Sequence, residues 1–107
     1  MKKTIWKYML KVDDAQIIAM PANAHILTVQ VQFGDPCLWA LVSPQMPLEG
    51  RRILIAGTGH EREDINGLTN YIGSFQLAGG ALVFHVFEDV LHAAVADSTE
   101  VAAAVQA

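Results

Sequence analysis

Cysteine is nearly missing from this sequence: Cys37 stands alone in 107 residues. An intramolecular disulfide is therefore excluded, which fits a reducing compartment. A single thiol inside the apolar run CLWALV is expected to be a buried structural group. Charge is scarce as well, at 17% of residues with a formal net charge of −4. That sign and size argue against general nucleic-acid binding. No apolar run is long enough to span a membrane as a helix, and in MKKTIWKYMLKVDD two lysines, Lys7 and Lys11, interrupt what a secretion signal would keep apolar. A cytoplasmic protein, with no membrane partner, is expected. Aromatic residues are few, yet hydrophobic residues reach 52%, ample for the core of one domain.

What the sequence does have is period-two alternation. TIWKYMLKV (4–12) sets Trp6, Tyr8, Leu10 and Val12 on one face, the pattern of a half-buried strand. A short strand follows at 16–20, stopped by Pro21. In HILTVQVQF (25–33), Leu27, Val29, Val31 and Phe33 are expected to face inward and the uncharged Thr28, Gln30 and Gln32 outward. Gly34-Asp35-Pro36 is expected to turn into CLWALV (37–42), apolar on both faces like a central strand. The segment 43–50 reads as a loop, RRILIA (51–56) as a strand, and GTGHEREDINGLT (57–69) as a long polar loop of the kind that often carries function. YIGSFQLAGGALVFHVFE (71–88) reads as a hairpin hinged on Gly79-Gly80. Counting outward pairs Leu77 with Leu82, Phe75 with Phe84 and Gly73 with Val86 on one face. On the other it pairs Gln76 with Val83, Ser74 with His85 and Ile72 with Phe87.

These seven segments predict an all-β fold, a small antiparallel β-sandwich or flattened barrel. Its β domain is expected over 1–88. Residues 89–107, rich in Ala and Val, form a tail read as flexible or as a short C-terminal helix capped near Asp97 and Glu100.

Several groups could carry chemistry. Gly57, Thr58, Gly59 and His60, with Arg62 nearby and Arg51 on the preceding strand, could present backbone N–H groups and cations to a small anionic ligand. The Lys-Ser/Thr ending of a phosphate loop is lacking, and the alternative is a tight turn with φ > 0 at both glycines. Ser74 opposite His85 resembles a nucleophile and base, but with no orienting acid or oxyanion hole in view a structural hydrogen bond is the expectation. The spacing of His25, His60, His85 and His92 matches no metal-ligand pattern, and Glu61, Glu63 and Asp64 lack the order of a calcium loop. No metal, cofactor or catalytic residue is assigned. Trp6, Tyr8 and Trp39 read as core aromatics that could also serve an interface.

TIWKYMLKV, PANAHILTVQVQFGDPCLWALV, GTGH and YIGSFQLAGGALVFHVFE together resemble a family of small, uncharacterised bacteriophage and prophage proteins over residues 4–88. The resemblance implies one compact β domain and a phage or prophage origin, and no activity. The function expected from all this is non-enzymatic: a homo-oligomeric binding protein that sequesters or blocks a host component, such as a host protein or a nucleotide-like ligand, in a counter-defence role. The alternatives are a structural or assembly accessory of a phage particle, and a small hydrolase using His60 or His85.

Overall fold

Alternating apolar side chains build two facing sheets in the computed structural model, which describes residues 1–90 and 104–105. The strands are β1 (Thr4–Met9), β2 (Ala15–Pro21), β3 (His25–Gln32), β4 (Asp35–Val42), β5 (Leu48–Gly57), β6 (Thr69–Leu77) and β7 (Leu82–Asp89). A two-residue strand, β8 (Ala104–Val105), follows. One sheet runs β3-β4-β1-β8 and the other β2-β5-β7-β6, with every pairing antiparallel. This is the β-sandwich that the alternation predicts. Of the expected tail helix, Ala104–Val105 instead lies as a strand on β1, and the rest of that expectation falls outside the described residues.

The core sits between the sheets. Tyr8, Leu38, Ala40 and Val42 come from the first; Ile18, Met20, Ile53, Ile55, Phe75 and Val86 come from the second. β4 is central and apolar on both faces, and Cys37 on it is 1% exposed. Burial holds its thiol above the usual cysteine range, so it is a poor nucleophile. Trp6 packs on the core and Tyr8 is fully buried, as expected, while Trp39 is only half-buried.

The β6–β7 hairpin keeps the counted register from Leu77↔Leu82 to Gly73↔Val86. Its turn is left-handed, with φ 64° at Gly79 and 95° at Gly80, and the Ala81 N–H donates to the Ala78 carbonyl. Ala78 is left-handed as well, at φ 53°, so the reversal runs over 78–81 and the ladder ends at Leu77↔Leu82. Beyond Gly73 a bulge intervenes, so Phe87 pairs with Tyr71 and not with the expected Ile72. A second bulge in β3, between Ile26 and Thr28, overturns part of the inward set. Ile26 and Val29 face the core and Leu27 is 43% exposed, while Val31 keeps the parity of Val29 and is 39% exposed near the end of the strand. Either extra residue flips side-chain parity along its strand.

Phe33 differs most from expectation. It does not face inward but forms the β3–β4 turn with Gly34, at φ 52° and 83°, and its side chain is 92% exposed. Asp35 and Pro36, expected in that turn, already belong to β4. An aromatic residue in the left-handed region costs about 1–2 kcal/mol, where asparagine is favoured. Phe33→Asn is therefore expected to raise stability by about 1 kcal/mol in urea denaturation.

Candidate functional site

The loop between β5 and β6 does not hang free; Arg62 staples it to the sheet. Its Nε and Nη2 donate to the two Asp64 carboxylate oxygens at 2.9 and 2.8 Å. Nη1 donates to the Ile55 carbonyl at 2.6 Å, and Nη2 to the Asp14 carbonyl at 2.9 Å. The remaining Nη1 proton points to Asp14 Oδ1 at 3.5 Å. All five guanidinium donors thus have partners. The hydrogen bond from Arg62 holds the Asp64 carboxyl below its usual range. Leu54, on the outer side of β5, is fully buried, as expected of a sheet surface covered by further chain.

A cavity of about 270 Å³ lies between this loop and the sheet, walled by Ala56, Ile65 and Phe87 and by Gly57, Thr58 and Gly59. Two imidazoles line it, from His60 and His85. Across the strand pairing β7 presents His85 beside Ala56, with Phe87 on the same face. His85 Nδ1 is 3.0 Å from the Tyr71 hydroxyl and Nε2 is 2.8 Å from Thr58 Oγ. Thr58 Oγ also lies 3.4 Å from the Val83 carbonyl. One tautomer satisfies the whole chain: Tyr71 donates to Nδ1, Nε2–H donates to Thr58, and Thr58 donates to Val83. The β6 bulge makes this possible, because without it Tyr71 would share the face of Gly73 and Phe75. Ser74 pairs with His85 across the ladder as expected, yet both ring nitrogens of His85 are engaged by Tyr71 and Thr58.

His60 folds back over the end of β5. A Cβ on Gly57 would lie 2.8 Å from its Cε1 and Nδ1, so the ring occupies space only glycine leaves open. Positive φ is confined to Gly59, at 86°; the expectation of φ > 0 at both glycines of GTG gives way to close approach at Gly57.

The structure brings Gly57, Thr58, Gly59, His60 and Arg62 to one cavity and leaves Arg51 out of it. Arg51 sits on the core side of β5, where Nε and Nη2 donate to the two Glu88 carboxylate oxygens and Nη1 donates to the Ala24 carbonyl at 2.9 Å. Its side chain is 14% exposed and that of Glu88 is 9% exposed. The adjacent Arg52 faces Asp89 at 3.6 Å. Among the described residues no group of three or more His, Cys, Asp or Glu could hold a metal.

A family model, Domain of unknown function (DUF7352), matches residues 1–96. The chain belongs to the DUF7352 family. No curated protein and no solved structure matches it significantly. Within this DUF7352 domain, Tyr71, Ile65 and Phe87 are the site residues that sequence reading missed. Phe87 was within reach, since the counted register puts it on the face of His85; Tyr71 depends on a bulge that no residue pattern announces.

Proposed function

We propose that this DUF7352 domain is a non-enzymatic binding protein whose ligand seats a planar ring in the cavity under the β5–β6 loop. The carrying observation is the combination of apolar walls, Phe87 and Ile65, with the two imidazoles of His60 and His85. Apolar lining with a few placed polar groups is the usual make-up of a small-molecule site. No arginine donor is left over there for a phosphate, since those of Arg62 are spent within the protein. A nucleotide-like ligand would therefore enter base first and keep its phosphate at the loop mouth near His60. Resemblance to phage and prophage proteins supports a sequestering role against a host component. His85, with both nitrogens engaged, favours binding over hydrolysis.

Isothermal titration with matched nucleosides and nucleotides tests this. Nucleosides are expected to retain most of the affinity. His60→Ala and Gly57→Ala are each expected to weaken binding by about 3- to 10-fold, the worth of one hydrogen bond. Absence of binding by the wild-type protein, or affinity unchanged in both variants, contradicts the reading.

A second reading, self-assembly or a role in a phage particle, rests on Phe33 and on the outer surface of the first sheet. There Ile5 and Met9 of β1 are 56% and 42% exposed on either side of Lys7, with β4 between them and the uncharged outward side chains of β3. Light scattering across concentration, and its loss of mass in Ile5→Asp, would support a homo-oligomer.

A further inference from the structure

Both β-bulges open onto the same place. The extra residue of β3 and that of β6 flank a cleft of about 410 Å³ lined by Ile26, Leu27, Asn70, Ile72, Arg51 and Glu88. Edge strands β3 and β6 pack on one another across the sandwich, and at their bulges a passage reaches the Arg51–Glu88 pair. A neighbouring hollow of about 300 Å³ shares Ala24, Arg51 and Glu88 and adds Glu49. Bulges concentrate beside functional sites because they re-aim side chains and end pairing.

The charge here is unbalanced. Arg51 faces two carboxylates, Glu88 in the bidentate pair and Glu49 at 3.7 Å, which leaves one negative charge in excess. His25 and Tyr71 are the other ionisable side chains lining the two spaces, and the Tyr71 hydroxyl is engaged with His85. From β1, the Tyr8 hydroxyl is buried without a hydrogen-bond partner and feels the Arg51 charge. A carboxylate offers about four lone-pair directions, of which Arg51 takes two on Glu88. Ile26 and Ile72 give the same cleft apolar sides.

From this geometry we infer a second ligand site, independent of the ring cavity, that takes an alkylammonium group. The aliphatic stem lies against Ile26 and Ile72 and the ammonium donates to the free lone pairs of Glu88, with the charge of Glu49 in the adjoining hollow adding to the attraction. A free small amine and a lysine side chain of a peptide share this chemistry. Anions are excluded by the surplus carboxylate.

Amide-resolved NMR titration with n-butylammonium chloride, a lysine-centred tripeptide and sodium butyrate tests the site. Saturable shifts at 24–27 and 70–72 are expected with the ammonium, with a dissociation constant on the order of millimolar. Tighter binding of the tripeptide would identify a peptide lysine as the source, and tighter binding of butylammonium a free amine. Glu49→Gln, at a half-exposed side chain whose amide oxygen can still accept from the Asn23 N–H, removes the surplus charge and is expected to weaken either ligand about 2- to 5-fold. No saturable shift in the cleft, equal shifts with butyrate, or undiminished binding in Glu49→Gln would overturn the inference.

Discussion

Arg51→Met is expected to lower the unfolding free energy by about 3–5 kcal/mol, because it strands the Glu88 carboxylate inside the sandwich. Both side chains are nearly buried at the floor of the cleft, and Arg51 also caps the Ala24 carbonyl. The hydrogen bond to Glu88 raises the Arg51 pKa still further above its usual value, so the guanidinium stays charged throughout the accessible range. Desolvation offsets most of the Coulomb gain in such a pair, so its presence adds little stability while its disruption removes much. The double variant Arg51→Met/Glu88→Met is accordingly expected to regain most of what the single change loses. A urea double-mutant cycle reads the difference directly. Equal losses in the single and double variants would mean that the two side chains do not act as a unit. The Tyr8 hydroxyl, pushed up to about 12 by burial and held back partly by Arg51, is expected to ionise at still higher pH in Arg51→Met.

Arg62→Ala is expected to cost about 2–3 kcal/mol and to abolish binding in the ring cavity. The substitution takes the side-chain donor from the Ile55 carbonyl, worth about 1–3 kcal/mol if it stays buried, while the exposed Asp14 carbonyl keeps the Ile55 N–H at 3.1 Å. It also frees the loop that walls the cavity. The ion pair with Asp64 has a definite pH signature. Its folded carboxyl pKa is depressed, so its stabilisation is complete above the unfolded value of about 3.9 and fades as pH falls through the lower folded value. The stability gap between wild type and Asp64→Asn is therefore expected to close in acid. A gap that persists at the lowest pH would assign Asp64 a role other than pairing with Arg62. Arg62→Lys should not rescue binding, because one ammonium cannot reach both carbonyls and the carboxylate at once.

The residues show how far sequence could go. Leu77, Phe75 and Val86 were placed correctly because a twin-glycine turn fixes a count and each apolar residue agrees with it. Phe33 and Leu27 were misplaced for the complementary reason. Alternation carries no mark of the residue at which a bulge or a turn interrupts it. GTGH was legible as a special loop, and the structure does put it at a cavity. The expectation of free cations there fails, since sequence shows that Arg51 and Arg62 exist but not that carboxylates and carbonyls claim their donors. A signal for Arg51 was present: Arg51-Arg52 and Glu88-Asp89 stand on strands that pair, one charge of each sign per face. Only the strand order β5-β7, set by the tertiary fold, turns that coincidence into an ion pair.

The most direct measurement is an amide-resolved NMR titration of the wild-type chain with a nucleoside panel. Shifts confined to residues 56–62, 65, 85 and 87 are the predicted result. Shifts centred on the first sheet, or none from any ring-bearing ligand while the loop amides remain protected, would contradict a ligand site beneath the Arg62-stapled loop.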